Sequence, residues 1–229
     1  MESEKESIQS ESESDDRSEK PKPDKIYKMI LIGNSGVGKT SLIQKALKNE
    51  FSPNIQSTIG FQYSNIIATV DDKKILLQTW DICGQDVFHS LINSFYKRSN
   101  LTILVYAIDD RESFESLEFW LGEIRTYSRK SNKIVLVGNK KDLDTKRTVS
   151  YEEGKEFFES NKLDLFYEAS AKEGTNAAEI FTESVEMLYD FDMKKRKKEL
   201  DEEKKKKNSF YLHEVNDKDN TGKSCEECY

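Results

Sequence analysis

The chain has 229 residues, 35% apolar and 34% charged, with a net charge of −7; that suits one compact domain plus polar tails, because a globular domain is usually roughly 45–50% apolar. No run approaches the ~18–20 apolar residues that cross a bilayer, and Met1-Glu2-Ser3-Glu4 does not begin a secretory leader, so no membrane-integral protein is expected. Three cysteines (Cys83, Cys225 and Cys228) make no disulfide framework and point to a reducing compartment, while the acidic balance argues against nucleic acid as a partner.

Residues 1–24 carry nine acidic and four basic side chains, a net −5, and end in Pro21-Lys22-Pro23. Apart from Met1, Ile8 is their one large apolar side chain, too little buried surface to offset ordering, so a disordered acidic Ser-rich tail is expected. From Ile26 onward, short apolar runs alternate with helical stretches, the pattern of an α/β fold with a mostly parallel sheet. Residues 26–32, 101–108 and 134–137 read as buried strands, and 165–167 as a short one. Residues 63–70 and 74–80 flank the polar turn Val70-Asp71-Asp72-Lys73 and form the one antiparallel hairpin.

Within 113–125, Phe114, Leu117, Trp120, Leu121 and Ile124 recur at helical spacing, predicting a single helix with a core-facing stripe. Ser150-Tyr151-Glu152-Glu153 fits a capping box, and Asn176-Ala177-Ala178-Glu179 is a variant of it. The folded unit is expected over residues 25–193, closing near Asp192, with a polybasic C-terminal tail over 194–229. Residues 194–207 hold nine basic and four acidic side chains, a net +5. The i,i+4 pairs Asp201–Lys205, Glu202–Lys206 and Glu203–Lys207 predict that the last helix continues into solvent before fraying.

The strongest local signal is Gly33-Asn34-Ser35-Gly36-Val37-Gly38-Lys39-Thr40, which matches G-x-x-x-x-G-K-[ST] between a predicted strand and a predicted helix. Glycines let the backbone wrap phosphate oxygens with amide hydrogens, the helix N-terminus adds a positive dipole end, and Lys39 adds a point charge. The Thr40 hydroxyl suits Mg²⁺, which prefers oxygen ligands. By itself the motif does not separate ATP from GTP. Four further segments, in a fixed order, bear on that choice. In Trp80-Asp81-Ile82-Cys83-Gly84-Gln85, Asp81 can serve the metal shell and Gly84 can offer a backbone N–H to the γ-phosphate. In Asn139-Lys140-Lys141-Asp142, the Asp142 carboxylate can accept both N1–H and the 2-amino group of guanine, donors that adenine lacks. A buried carboxylate left without them loses hydrogen bonds of roughly 1.5–3 kcal/mol each. Glu168-Ala169-Ser170-Ala171-Lys172 can bring backbone amides to guanine O6, and in Ser57-Thr58-Ile59-Gly60 the Thr58 side chain can reach metal and γ-phosphate.

In this order and spacing the five segments resemble the small Ras-like GTPases, and residues 25–193 are most similar to the Rab family. The resemblance implies a single P-loop GTPase domain: a six-stranded, mostly parallel sheet with one antiparallel hairpin strand and helices on both faces. It implies a nucleotide-binding set of Ser35, Gly36, Val37, Gly38, Lys39, Thr40, Ser41, Phe51, Thr58, Gly84, Asn139, Lys140, Asp142, Ser170, Ala171 and Lys172. Phe51 would lie against the base and Lys140 would cover its other face, with Thr40, Thr58 and Asp81 serving Mg²⁺. Gln85 would orient the attacking water. Tyr63, Trp80 and Phe95 would form an exposed cluster read by effectors, although the residues alone fit core packing as well. Gln62 stands where Rab proteins usually have an acidic residue and Cys83 where they have Ala; Thr58–Phe61 and Gly84–Asp86 also resemble Arf proteins, but Glu2 cannot be N-myristoylated.

The function so implied is a GTP/GDP switch in vesicle trafficking that hydrolyses GTP slowly and recruits effectors. The alternatives are a Ras- or Rho-type signalling GTPase and a nucleotide-bound scaffold without hydrolysis. Only 25 residues separate Asp142 from Glu168, which leaves no room for the extra helix of Rho proteins. Implied partners are a nucleotide exchange factor, a GTPase-activating protein, a GDP-dissociation inhibitor or prenylation escort, and effectors. The ending Cys225-Glu226-Glu227-Cys228-Tyr229 is not a C-a-a-X box and loosely resembles the two-cysteine ends of Rab proteins, so lipidation of Cys225, Cys228 or both, at the cytosolic face of an endomembrane, is expected.

Overall fold

The computed structural model describes residues 22–53, 58, 60–82 and 89–219, with side chains for all of these except 89–92 and 206–219. The expected acidic tail, up to residue 21, lies outside the described residues. The strands are β1 (Lys25–Ile32), β2 (Phe61–Val70), β3 (Lys73–Ile82), β4 (Leu101–Ala107), β5 (Lys133–Asn139) and β6 (Leu165–Glu168). The helices are α1 (Lys39–Lys48), α2 (His89–Arg98), α3 (Arg111–Glu115), α4 (Leu117–Tyr127), α5 (Tyr151–Ser160) and α6 (Glu179–Asp219).

The strands form one sheet in the order β2-β3-β1-β4-β5-β6. All neighbours are parallel except β2 and β3, as the sequence predicts. The hairpin turns tightly because Asp71 and Asp72 both adopt positive φ (48° and 60°), the geometry whose twist matches the flanking strands. Central strands read as unbroken apolar runs because both of their faces are covered. On one face, Met29, Leu31, Leu101, Ile103 and Val105 pack with Leu42 of α1 and Ile180 and Val185 of α6. On the other, Ile30, Ile32, Leu104 and Leu136 pack with Tyr96 of α2 and Trp120, Leu121 and Ile124 of α4. Helices therefore lie on both faces.

Two expectations need correction. The predicted single helix over 113–125 is two helices, interrupted at Ser116, whose hydroxyl bonds back to the Glu112 carbonyl at 2.8 Å. The apolar spacing runs through the break, so the stripe is kept while the helix is not. Asn176 does not cap α6: it sits at φ 56°, and its amide donates to the Glu168 carbonyl at 2.7 Å. Short polar side chains that tolerate left-handed backbone compete in this way with capping. As the i,i+4 pairs predict, α6 continues past the folded unit and reaches Asp219, with Lys195 and Glu199 paired at 3.8 Å along it. The box at Ser150 does form, with Glu153 N–H donating to Ser150 Oγ and Ser150 N–H to Glu153 Oε2. Arg111 first, then the Ser150 N–H, hold the Glu153 carboxyl down to about 2.

Gly154 lies on the inner side of α5, where a Cβ would stand 2.4 Å from the Tyr106 hydroxyl and 2.9 Å from the Phe166 ring. Helix propensity alone favours alanine there by about 1 kcal/mol. Tyr106 is fully buried and cannot swing away, so overpacking wins and Gly154→Ala should destabilise by about 1–3 kcal/mol in urea unfolding. A stabilised variant would contradict this packing.

Candidate nucleotide site

β1 is flanked by β3 on one side and β4 on the other, and the loops leaving the carboxyl ends of the parallel strands meet above it, where open α/β sheets bind ligands. Residues 33–38 run from β1 into α1. Their approach to the sheet leaves no room for side chains at two positions. A Cβ at Gly33 would stand 2.0 Å from the Val105 carbonyl oxygen, and one at Gly38 would stand 2.3 Å from the Asn139 amide nitrogen; both glycines have positive φ. Lys39 is buried and donates to the carbonyls of Gly33 (2.8 Å) and Asn34 (2.9 Å). Its chain is thus folded back over the loop it belongs to. Ser35 and Gly36 are exposed at the loop tip, whereas Val37 is buried beneath it.

Beside Lys39, the Thr40 hydroxyl donates to Asp81 Oδ2 and lies 2.9 Å from the Thr58 hydroxyl. Three oxygen-bearing side chains from three separate segments therefore converge. The register that pairs Leu31 with Asp81 brings the end of β3 level with the start of the loop. Asp81 is 1% exposed and its Oδ1 has no hydrogen-bond partner among the described residues. Burial pushes its carboxyl above the usual range, against the opposing pull of Thr40, Lys39 and Thr58. An orphaned buried carboxylate oxygen beside two hydroxyls is a donor set that fits Mg²⁺, which binds through one or two carboxylates and leaves positions for phosphate and water.

Beyond β5, Asn139 is a strut. Its amide donates to the Val37 carbonyl at 2.8 Å and its Oδ1 accepts from the Ala171 N–H at 3.2 Å, tying the loop at 33–38 to residues 168–174. Asp142 accepts from Ser170 Oγ at 2.7 Å and lies 3.7 Å from Lys172 Nζ. Lys140 takes φ 66° and its ammonium lies 3.5 Å from Asp109, a partner that nothing in the local sequence flags. Ser41 is half-buried in the first turn of α1, and Phe51 is 39% exposed.

Glu168 is buried and held by Arg147 through two bonds, at 2.5 and 2.9 Å. Glu168 in turn keeps the Arg147 guanidinium above its ordinary range. This clamp spans 21 residues and fixes the start of the loop that carries Ser170, Ala171 and Lys172.

At the hairpin, Tyr63, Trp80 and Phe95 pack together, with centroids 4.8 Å (Tyr63–Trp80) and 4.9 Å (Trp80–Phe95) apart. Phe61, which the sequence reading missed, joins them at 5.4 Å from Trp80 and is 51% exposed. Trp80 and Phe95 also rest on the core, so packing and exposure are both present in this cluster. Gln62 pairs in register with Asp81. Cys83, Gly84, Gln85, Cys225 and Cys228 lie outside the described residues.

Residues 28–190 match the family model described as "Ras family". The chain belongs to the Ras family. Ras-related protein Rab-2B of Dictyostelium discoideum is 40% identical over 163 residues, covering 71% of this chain and 80% of the relative. Ras-related protein Rab-11B of the same organism is 41% identical over 166 residues, 72% of this chain and 75% of the relative. Ras-related protein Rab-3 of Caenorhabditis elegans is 36% identical over 167 residues, 73% and 76% respectively. This member of the Ras family is a Rab-like small GTPase, which hydrolyses GTP.

Removing one partner of the Arg147–Glu168 pair strands a buried charge. Arg147→Met should cost about 3 kcal/mol in urea unfolding, and adding Glu168→Gln should restore part of that loss. Strict additivity of the two substitutions would show that the pair is not coupled.

Proposed function

We propose that this GTPase is a membrane-directed switch in vesicle trafficking, read by effectors in its GTP form. The observation that carries the site reading is the convergence of Thr40, Thr58 and Asp81 beside Lys39. Thr58 belongs to the loop before β2, so a γ-phosphate and cation at this point would tie that loop to the phosphate loop, and phosphate loss would release it.

In this reading Ser35 to Ser41 hold the phosphates, with Thr40, Thr58 and Asp81 serving Mg²⁺. The cation supplies charge neutralisation on the phosphate oxygens. Lys39 places its ammonium at the loop, and Gly84 offers a backbone N–H. Asp142 accepts from the guanine ring, Lys140 and Phe51 flank the ring, and Ser170, Ala171 and Lys172 close its edge. Asn139 contributes by holding two of these loops together. Gln85 orients the attacking water; an amide is no general base, so its role is geometric. Residues 50–60 contain no Arg, which supports slow unaided turnover, on the order of 10⁻⁴ s⁻¹, accelerated by an activating protein that brings the missing charge.

An exchange factor, an escort or GDP-dissociation inhibitor, and effectors docking at Tyr63, Trp80 and Phe95 complete the cycle. Among the described residues no helix is long and apolar enough to cross a membrane. Attachment is assigned to lipid on Cys225, Cys228 or both, assisted by the polybasic residues 194–207, which can add up to ~1 kcal/mol per Lys or Arg near an anionic leaflet.

Two measurements test the site. Calorimetry should show GDP bound about 100-fold or more tighter than ADP, as two lost carboxylate hydrogen bonds require; equal affinities would sink the base assignment. Gln85→Leu should slow single-turnover hydrolysis while leaving GDP affinity unchanged, and hydrolysis at the wild-type rate would remove Gln85 from the mechanism. Unaided turnover near ~1 s⁻¹ in the wild-type chain would contradict the need for a partner.

A further inference from the structure

Asn34, the second residue of the phosphate loop, has no role in the reading above, yet its side chain is held at both ends. Trp120 Nε1–H donates to Asn34 Oδ1 at 2.8 Å, and Asn34 Nδ2 donates to Ser116 Oγ at 3.0 Å. These partners stand 86 and 82 residues away in sequence. They are presented together because the helix breaks at Ser116, between α3 and α4. Trp120 is 5% exposed and packed against the core, so its indole is a fixed donor. Ser116 is oriented in turn by its bond to the Glu112 carbonyl.

The backbone of the same residue faces the other way. The Asn34 carbonyl accepts the Lys39 ammonium at 2.9 Å, next to the Gly33 carbonyl at 2.8 Å. A loop residue whose side chain is clamped to α4 and whose carbonyl steers the phosphate-binding lysine links the two. Without the clamp, Asn34 would keep its place only through its neighbours in a glycine-rich loop, where backbone freedom is greatest. The clamp lies on one wall of a solvent-open cleft of about 500 Å³ that Ser35 also lines, so it sits directly behind the exposed tip of the loop.

We propose that Trp120 and Ser116, acting through Asn34, are positioning residues for the phosphate loop, and that they set how tightly Lys39 retains the nucleotide. The proposal rests on the phosphate-site reading above. A tether that served stability alone would lower the unfolding midpoint and leave nucleotide release unchanged; a positioning network moves the release rate.

The test uses the full chain loaded with a fluorescent GDP analogue, chased with excess GDP. Trp120→Phe keeps an aromatic side chain but removes the pyrrole ring with its N–H, and Asn34→Ala removes both bonds. Each should speed release about 3- to 10-fold, the scale of a lost neutral hydrogen bond. Since both break the same interaction, the double variant should be no faster than Asn34→Ala by more than about twofold. Ser150→Ala, a destabilising change at the cap of α5, should leave release within about twofold of wild type. In ¹⁵N spectra the Trp120 indole resonance should shift on Asn34→Ala. Single variants with wild-type release, effects that multiply, or Ser150→Ala matching Trp120→Phe would each overturn the proposal. If wild type itself fails to retain guanine nucleotide, the site reading falls and this inference with it; wild-type retention with unaltered variants overturns the network alone.

Discussion

Everything at this site depends on how closely a backbone can approach its neighbours. The phosphate loop touches β4 at Gly33, where a Cβ would overlap the Val105 carbonyl, and touches Asn139 at Gly38. Those two contacts press the loop against the carboxyl ends of the central strands, and the remaining contacts build on that position. Lys39 can then fold back to the Gly33 and Asn34 carbonyls, and Asn139 can reach the Val37 carbonyl while its other end holds Ala171. Widening the approach by one methyl would move the loop, the lysine and the segments that Asn139 ties to them together.

The electrostatics follow from the same compression. Asp81 is an acid in a place that disfavours charge, with one oxygen bonded to Thr40 and the other without a partner among the described residues. Left so, it holds its proton more readily than an exposed carboxylate, because burial outweighs the help of Lys39 and the two hydroxyls. A divalent cation bound there would reverse that balance, since it would supply the missing partner and the compensating charge at once. The Arg147–Glu168 pair solves a similar problem with a guanidinium, which is why that carboxylate has both oxygens bonded. One buried carboxylate is closed and the other is open, and only the open one faces the phosphate loop.

What the sequence made legible was local or periodic. The strands showed as apolar runs, the hairpin as Asp71-Asp72, the α5 cap as Ser150 and Glu153, and the phosphate loop as glycines around Lys39. Each of those signals is carried by residues within a few positions of one another. The misses were of three kinds. Long-range polar partners, such as Asp109 for Lys140, Arg147 for Glu168 and Trp120 for Asn34, leave no periodic trace, because any polar residue in a loop looks alike until the fold brings two together. Local competition was the second kind: Ser116 and Asn176 are both good capping residues, and which backbone group each one bonds was decided by packing around it. Phe61 was missed for a third reason, since it sits at a strand end that the apolar run did not reach.

The length of α6 separates two sources of helix stability. Ile180, Phe181, Val185 and Leu188 are buried against the sheet, so the first turns are held by tertiary packing. Tyr27 and Lys25 reach Asp192 at 3.0 and 2.7 Å, the last anchors to the body that these contacts supply. From Lys194 to Lys205 every residue is exposed, and continuation there rests on propensity and i,i+4 pairs, each only about 0.2–0.5 kcal/mol. No Gly or Pro interrupts residues 179–219, which lets the helix extend at ~1.5 Å per residue. A segment so weakly held can unwind without disturbing the domain.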